Sequence, residues 1–265
     1  MACGLVSVLT DFGPDSRYAA ELRAVVLAPA FGQTLTVVDV THSVRRHQVR
    51  EGAYLLRSAV RSFPPGTVHL AVVDPGVGTS RRGLAVRSGG HFLVGPDNGL
   101  LLPAARVLGR PEVREIRHPD LRRPAVSPTF WGRDVFAPCA RWLALGFPFE
   151  EVGPRVPDPV ELELKPPERL PGALRGEVVA RDAFGNLSTN IPGAWLEDLG
   201  EAVWVQAGAQ AHRASKVRTY GEAAVGSLLV LEGSDGYVEV AVREGDAGER
   251  LGLRPGDPVA LRQGP

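Results

Sequence analysis

A carboxylate and a guanidinium lie on either side of a glycine-rich loop in the first third of the chain. The apolar run at residues 71–73 ends at Asp74, and Pro75 with two glycines leads on towards Arg81. The run predicts a buried parallel strand that places Asp74 at its carboxyl edge, where open α/β sheets bind ligands. Backbone amides of such a loop can approach a ligand closely while Asp74 and Arg81 turn back towards each other. The alternative is a structural turn in which Asp74 caps the next element and Arg81 lies on the surface.

The composition favours a small-molecule ligand over a polyanion. The 265 residues include 30 basic and 30 acidic ones, so no overall charge attracts nucleic acid or an anionic membrane. Cys3 and Cys139 are too few for a disulfide framework. No apolar run has the length of a membrane span or the pattern of a signal peptide. We therefore expect a cytoplasmic protein without nucleic-acid or membrane partners.

Strands and helices alternate through the N-terminal part of the chain, which predicts an α/β domain with a mostly parallel sheet flanked by helices. The predicted strands are 5–10, 34–40, the run ending in Asp74, and a hairpin formed by 83–87 and 91–94. The predicted helices are 18–27, 48–61 and 135–145. The first strand also ends beside an acid, Asp11, so two carboxylates are expected at the same edge of the sheet.

A run of prolines after residue 153 predicts a domain boundary, since no helix persists across such spacing. We therefore divide the chain into an N-terminal α/β domain over 1–153, a proline-rich linker over 154–172 and a C-terminal domain over 173–265. Short strands separated by turns, with weak helical periodicity, predict a small β-barrel for the last domain. The predicted barrel strands are 175–181, 203–206, 228–231, 237–242 and 258–261, and the segments 182–190 and 233–237 are predicted polar turns.

Six collinear blocks carry a more specific pattern: TDFG at 10–13, DVTH at 39–42, VDPGVGT at 73–79, GPDNG at 95–99, FWGRDVF at 130–136, and FGNL at 184–187 with TNI at 189–191. In this order and spacing they resemble the S-adenosylmethionine hydrolases, or hydroxide adenosyltransferases, whose superfamily includes the fluorinase and chlorinase enzymes. The resemblance implies a homotrimer in which the ligand lies between the N-terminal domain of one subunit and the C-terminal domain of its neighbour. It also implies that S-adenosylmethionine is the substrate, with no cofactor and no metal.

The resemblance further implies a set of substrate-binding residues drawn from both domains: Asp11, Asp74, Asp182, Phe184, Asn186, Ser234 and Glu239. Asp11 would bind the ribose hydroxyls, a role that suits a carboxylate with two acceptor oxygens. Phe184 and Asn186 would contact the adenine. Asp182 and Ser234 would hold the ammonium and the carboxylate of the methionine part, with Glu239 nearby.

The implied reaction is displacement at the ribose C5′, which releases neutral methionine from a sulfonium and so needs no acid at the leaving group. Asp74, oriented by Arg81, would position water or hydroxide in line with the C–S bond. The halogenases of the superfamily have a tyrosine at the position of Asp74, where a fixed carboxylate repels halide. We therefore expect adenosine and methionine as products. The alternatives are a binding module that holds adenosine or S-adenosylmethionine without turnover, and a halogenase.

Three positions depart from the pattern of the resembled family. The hydrolases use an Asp-Arg-His triad whose histidine lies between a phenylalanine and a glycine, and that place is occupied by Trp131, which cannot accept a proton. Ser16 replaces the usual acid two residues before Tyr18. Asp235 stands where the fluorinase has an arginine for the methionine carboxylate. Trp131 is the departure that favours the non-catalytic alternative.

Several further residues have two interpretations. His47 either lines the ligand site or belongs to a solvated loop, and Tyr18 either packs in the core or lies beside the ribose-binding loop. Trp131 is either a ligand wall or part of the core. Arg133 and Asp134 are predicted to form a local ion pair, with Asp134 capping the following helix. Cys139, on an apolar helix face, is predicted to be a core residue.

Overall fold

The chain divides within the proline-rich segment, into units formed by residues 1–162 and 163–265. A computed structural model describes residues 3–29 and 32–264. The proline-rich segment is not a linker throughout its length. Leu162 packs against the core of the first unit, and Glu168–Leu170 forms strand β7, which pairs with the first barrel strand.

In the part of the first unit that the structure describes, six strands form one sheet: β1 Leu5–Thr10, β2 Thr36–Thr41, β3 Val68–Val72, β4 Gly83–Ser88, β5 His91–Pro96 and β6 Glu112–Glu115. Their order is β2-β1-β3-β5-β4-β6. The first four in this order run parallel, whereas β4 is antiparallel to both of its neighbours. The sheet is thus mixed, as the predicted hairpin of β4 and β5 requires.

Helices cover both faces of this sheet: α1 Arg17–Val26, α2 Val49–Ala59, α3 Leu102–Leu108 and α4 Ala137–Ala144. Successive residues of a strand point to opposite faces, and the central strand follows this rule. Leu70 and Val72 of β3 pack with α1 and α4, whereas Ala71 and Val73 pack with α2 and α3. Both faces of β3 are therefore buried, which explains why its residues other than His69 are apolar.

The ends of two adjacent parallel strands bring the predicted carboxylates to one edge. Thr10, the last residue of β1, is in register with Val72, the last residue of β3. Asp11 follows Thr10 directly, and Asp74 follows Val72 after one further residue. The loop after β2 leaves the sheet at the same edge, because Thr41 is in register with Leu9.

The second unit is a closed β-barrel, as predicted. Its strands are β8 Ala173–Arg181, β9 Leu187–Pro192, β10 Ala202–Ala207, β11 Gln210–Lys216, β12 Leu228–Glu232, β13 Tyr237–Val242 and β14 Pro258–Gln263, with a short helix α5 at Ala247–Leu251. Within the described residues, these seven strands close through the pairing of β14 with β8, and β7 lies outside the ring.

Two barrel strands, β9 and β11, are absent from the sequence-based prediction. The first half of β9 lies in the segment predicted as a turn, although its side chains alternate between buried and partly exposed. β11 reads as a polar loop, because Ala214 is its one fully buried position. Polar residues on the outer face of a barrel strand conceal the alternation on which strand prediction depends.

Candidate functional site

A cleft of about 610 Å³ opens at the sheet edge where β1 and β3 end. Its lining residues come from the ends of these strands and the loops after β1, β2 and β3, from the start of α1 and from the segment before α4: Asp11, Phe12, Arg17, Tyr18, Glu21, Arg46, His47, Val72, Asp74, Val77, Ser127, Thr129, Phe130, Trp131, Gly132 and Arg133. A cleft at the carboxyl edge of parallel strands is the usual ligand position in an open α/β sheet. The cleft is therefore the candidate functional site of the first unit.

Asp74, which lines this cleft, forms a two-point ion pair with Arg81. Arg81 Nε donates to Asp74 Oδ1 at 2.8 Å, and Arg81 Nη2 donates to Asp74 Oδ2. The Asp74 side chain is only 6% exposed and the Arg81 side chain 10%. A planar guanidinium that engages both oxygens fixes the carboxylate in orientation as well as position. The interpretation of Arg81 as a surface residue is wrong.

Aromatic rings hold the other side of the Arg81 guanidinium. Its Cζ lies 4.4 Å from the centre of the Trp131 ring and 5.1 Å from that of Phe136. The two rings contact each other edge to face at 6.3 Å. Such cation–π contacts are strongest where water is excluded, as it largely is here. Trp131 thus both lines the cleft and supports the arginine that orients Asp74.

The loop that carries Asp74 is supported from beneath by the turn after β5. Asn98 Nδ2 donates to the carbonyl oxygen of Val73 at 2.8 Å, directly before Asp74. Asp97 accepts from Arg82 Nε at 2.6 Å, directly after Arg81. Gly78 has a φ of 82°, and a Cβ there would lie 3.0 Å from the carbonyl oxygen of Pro128. Both ends of the loop are therefore tied to the sheet, which keeps the ion pair in place.

Asp11 is oriented by a backbone amide from the neighbouring loop. Its Oδ2 accepts from the His47 N–H at 2.8 Å, and His47 has the left-handed φ of 65°. The exposed His47 side chain lines the cleft together with Tyr18. Tyr18 is half-exposed and contacts the rings of Phe12 and Phe130 edge to face. The interpretation of Tyr18 as a core residue is wrong, and its ring instead lies beside the Asp11 loop.

Asp134 binds two neighbouring segments rather than capping a helix. The π-helical turn Gly132–Phe136 contains it, and neither this turn nor α4 has a side-chain cap. Arg133 Nε donates to Asp134 Oδ1 at 2.7 Å, as the predicted ion pair requires, and the Ser127 N–H donates to Oδ2 at 2.8 Å. Burial alone raises the pKa of Asp134, but these hydrogen bonds and the charges of Arg133 and Arg123 bring it below its ordinary value. Asp134 thus stabilises the cleft wall.

The predicted core position of Cys139 is correct. Cys139 lies on α4 and packs fully buried against the sheet. Burial raises the pKa of its thiol. Cys139 is therefore an inert core residue.

In the second unit, Asp182 organises the loop between β8 and β9. Its Oδ1 accepts from the backbone N–H groups of Phe184 and Asn186, each at 2.9 Å, and its Oδ2 accepts from Asn186 Nδ2 at 3.0 Å. Gly185 has a φ of 83° in the same loop. Asn186 is buried by this arrangement, whereas the Phe184 side chain is left 80% exposed. An aromatic ring held on an ordered loop and open to solvent is suited to stacking on a planar ligand.

A second group of polar residues lies near Asp182. The Tyr220 hydroxyl donates a hydrogen bond to Glu239 Oε1. Burial raises the pKa of Glu239; the bond from Tyr220 opposes this shift, and the charges of Asp182 and Asp235 add to it. Ser234 is exposed in the turn 233–237, which the Tyr237 N–H closes on Asp235 Oδ1 at 3.2 Å. This side of the barrel is thus acidic, which suits a cationic ligand group.

The structure therefore groups the predicted residues into two sets, one in each unit. Asp11, Asp74 and Arg81 belong to the first unit, and the other predicted residues belong to the second. The sequence-based prediction misses Tyr220 and Phe136 because nothing local marks them. Tyr220 lies 19 residues before its partner Glu239, and Phe136 reads as an ordinary helix residue.

Residues 3–29 and 32–264 contain neither a group of three histidine, cysteine or acidic side chains able to hold a metal ion nor a helix long and apolar enough to cross a membrane.

Comparison with known proteins identifies the family. Residues 6–153 match the model of the SAM hydroxide adenosyltransferase N-terminal domain, and residues 176–260 match that of the C-terminal domain. The chain belongs to the SAM hydroxide adenosyltransferase family. The (R)-S-adenosyl-L-methionine hydrolase of Salinispora tropica is 42% identical over 264 residues, which cover 98% of each chain.

Two further comparisons show similarity over most of the chain. The fluorinase of Actinopolyspora mzabensis is 30% identical over 223 residues, which cover 74% of each chain. A crystal structure of an uncharacterized conserved protein from Thermotoga maritima superposes with a TM-score of 0.92 at 36% identity, over 97% of this chain and 100% of that one. The SAM hydroxide adenosyltransferase fold therefore extends over both units.

Proposed function

We propose that this protein hydrolyses S-adenosyl-L-methionine to adenosine and L-methionine, with water or hydroxide oriented by Asp74 and Arg81. The observation that carries the proposal is the two-point ion pair by which Arg81 holds the cleft-lining carboxylate of Asp74, in a chain from this family. The Salinispora relative is named a hydrolase of the (R) epimer, and we extend that preference to this chain. The substrate itself supplies the reactive sulfonium, so the proposal requires neither a cofactor nor a metal.

In the proposed reaction, the nucleophilic oxygen attacks the ribose C5′ in line with the C–S bond. The electron pair of that bond goes to the sulfonium sulfur, which leaves as the neutral thioether of methionine. The nucleophile keeps one hydrogen as the 5′-hydroxyl of adenosine, and when it enters as water its other proton passes to solvent. Asp74 accepts a hydrogen bond from the nucleophile and thereby fixes its position, while Arg81 prevents the carboxylate from turning.

Trp131 adds support but no proton acceptor to this arrangement. Its indole ring lies against the Arg81 guanidinium, with 4.4 Å from Cζ to the ring centre. Because an indole N–H only donates, the proton leaves without help from this residue. We therefore propose that the protein takes hydroxide from solvent and that its rate rises with pH.

Substrate binding divides between the two units in this proposal. Asp11 uses Oδ1 for the ribose hydroxyls, since its Oδ2 is held by the His47 N–H. Phe184 stacks on the adenine, and Asn186 offers its Oδ1 to the exocyclic amine, since its Nδ2 is bonded to Asp182.

The methionine end is assigned to the acidic side of the barrel. Asp182 and Glu239 attract the ammonium, and Ser234 donates to the carboxylate. Burial is the main cause of the raised pKa of Glu239, and the charges of Asp182 and Asp235 add to it. A bound cation would relieve this repulsion.

We also propose a cytoplasmic homotrimer in which each ligand lies between the first unit of one subunit and the second unit of its neighbour. The support is that each unit carries only part of the binding set. Co-expression of Asp74→Ala with Asp182→Ala subunits tests it, because shared sites would be intact in about a quarter of random pairings and restore activity accordingly. Sites within a single subunit would leave the mixture as inactive as either variant alone.

The experiment that tests the reaction is incubation with S-adenosylmethionine in ¹⁸O-labelled water. Attack at C5′ places the label in the 5′-hydroxyl of adenosine and leaves methionine unlabelled. Label in homoserine, with release of methylthioadenosine, would instead show attack on the amino-acid side of the sulfur. When a mixture of the two sulfonium epimers is used in the same assay, the (R) epimer should be consumed first.

Two other functions are separated by the same assay. A binding module without turnover is favoured by Trp131, and it would bind adenosine tightly while substrate decays only at the background rate. A halogenase is favoured by the similarity to the fluorinase, and in high chloride it would yield 5′-chloro-5′-deoxyadenosine. The paired carboxylate of Asp74 disfavours the halogenase because it repels an incoming anion.

A further inference from the structure

Two buried polar residues outside the cleft lining hold the loop that carries Asp11. Thr10 is fully buried, and its Oγ1 lies 2.8 Å from Nδ1 of His42, which is 8% exposed. The same Oγ1 accepts from the Phe12 N–H at 3.2 Å. The carbonyl oxygen of His42 accepts from the Gly13 N–H at 2.8 Å. The two peptide N–H groups that follow Asp11 are thus bonded to these two residues.

The other ring nitrogen of His42 faces an acidic group. Nε2 is buried 3.3 Å from Asp39 Oδ1 without forming a well-aligned hydrogen bond, and Asp39 is paired with Arg23 at 3.0 Å. A carboxylate at this distance favours the tautomer in which Nε2 carries the proton. Nδ1 is then an acceptor, so the Thr10 hydroxyl donates to it and keeps its own lone pairs for Phe12.

We propose that Thr10 and His42 are positioning residues for Asp11 and set the preference of the protein for a ribose diol over a deoxyribose. The inference rests on the proposed role of Asp11. A carboxylate that binds neighbouring hydroxyls must be placed within a fraction of an ångström, and this pair holds the backbone N–H groups of the first two residues after Asp11. A site built to bond a hydroxyl rejects the analogue that lacks it, but only while its own groups are correctly placed.

Four variants test the pair. Thr10→Val removes the hydroxyl at constant shape, and Thr10→Ser retains it. His42→Phe removes both ring nitrogens, whereas His42→Asn retains a polar atom near the place of Nδ1. His212→Asn, on barrel strand β11, is the matched control. The readout is the ratio of the Kd values of 2′-deoxyadenosine and adenosine, measured by calorimetry, together with the KM and kcat for S-adenosylmethionine.

We expect Thr10→Val and His42→Phe to lower the discrimination ratio about tenfold, the size of a lost hydrogen bond to a charged group. KM should rise by a similar factor while kcat changes less. Thr10→Ser, His42→Asn and His212→Asn should keep the ratio of the parent. A purely structural role would weaken both nucleosides equally and leave the ratio unchanged, and that result in folded Thr10→Val and His42→Phe would overturn the inference.

Asp39→Asn gives a second route if the buried variants fail to fold. It removes the carboxylate that faces Nε2, together with its ion pair to Arg23, and leaves Thr10 in place. The ratio should fall about threefold if the tautomer of His42 matters. If Thr10→Val and His42→Phe do not fold, an unchanged discrimination ratio in Asp39→Asn would count against the inference. The nucleoside measurements need no turnover, so a parent protein that discriminates the nucleosides but forms no adenosine would refute the proposed hydrolysis alone. A parent protein with no preference for adenosine would overturn the positioning role.

Discussion

The two units present their polar groups in opposite ways. In the first, Asp74 is held by Arg81, and Arg81 by the rings of Trp131 and Phe136. Trp131 is partly buried, and the other three side chains are largely or fully buried. In the barrel, Asp182 forms its bonds within five residues and leaves the Phe184 ring in solvent. The contrast indicates a division of labour. In the proposed reaction, the first unit fixes through long-range packing the carboxylate that orients the nucleophile, and the second offers a locally ordered binding surface.

The largest effect on this contrast is expected from Arg81→Met. The variant leaves the Asp74 carboxylate buried without its partner, so it should lower the rate of adenosine formation about a hundredfold or more and the free energy of unfolding by about 3 kcal/mol. Arg87→Met is the matched control, because Arg87, on β4 of the same sheet, is 38% exposed and pairs with Glu112 and Glu150. Arg87→Met should lower the free energy of unfolding by less than about 1 kcal/mol and leave the rate of adenosine formation unchanged. Equal effects of the two variants would remove the special role of Arg81.

A second difference concerns acid stability. His69, on β3, is buried between Ser7 Oγ at 2.7 Å and His91 Nδ1 at 3.1 Å. Burial, together with the charge of His91, lowers the pKa of His69 from 6.5 to about 3. Between these two pKa values the unfolded chain binds more protons than the folded one. The stability that neutral His69 contributes above pH 6.5 is therefore lost as the pH falls towards 3.

The measurement is thermal unfolding of the parent and of His69→Gln between pH 7 and pH 4. Between pH 7 and pH 4 the free energy of unfolding of the parent should fall by up to about 3 kcal/mol more than that of the variant. Hydrogen exchange should place the acid-induced opening at β1 and β3. Glu239 acts in the opposite sense, because its raised pKa means that protonation on acidification stabilises the barrel. Parallel acid profiles for parent and variant would show that His69 is not the cause.

In the barrel, Phe184→Ala should weaken binding without affecting stability. Loss of an aromatic stacking partner costs about 1–3 kcal/mol, so KM should rise roughly tenfold while kcat changes little. The melting temperature should not change, since the ring is 80% exposed. Val225→Ala, another exposed apolar residue of the same unit, is the control. A fall in kcat at saturating substrate would mean that the barrel also takes part in the chemistry.

Trp131→His is expected to have the smallest effect on rate. The variant loses a cation–π contact worth about 1 kcal/mol and gains a proton acceptor. If hydroxide comes from solvent, the rate should change less than tenfold and should rise with pH in parent and variant alike. Trp131→Phe, which keeps an aromatic ring, controls for packing. A large gain in rate at neutral pH, with unchanged thermal stability, would show that a general base was needed after all.

The comparison of the units also explains what the sequence reveals. The strand before Asp74, the barrel and the turn at Asp182 are predictable because each depends on a short pattern of apolar, glycine and acidic residues. The support of Arg81 by Trp131 joins residues 50 positions apart, and no local pattern encodes it. Asp134 looks like a helix cap in sequence, but it lies inside a π-helical turn and bonds to Ser127. Strands β9 and β11 are missed for the related reason that only their pairing partners distinguish them from polar loops.

The central claim is that the carboxylate of Asp74 orients the nucleophile. The most direct test compares adenosine formation from S-adenosylmethionine by the parent protein and by Asp74→Asn, which is nearly the same size. We predict that the parent releases adenosine and methionine in equal amounts, and that Asp74→Asn forms no adenosine above background while it still folds and binds adenosine. Its melting temperature should fall, because the buried Arg81 charge loses its partner. Adenosine formation by Asp74→Asn at the parent rate would contradict the account.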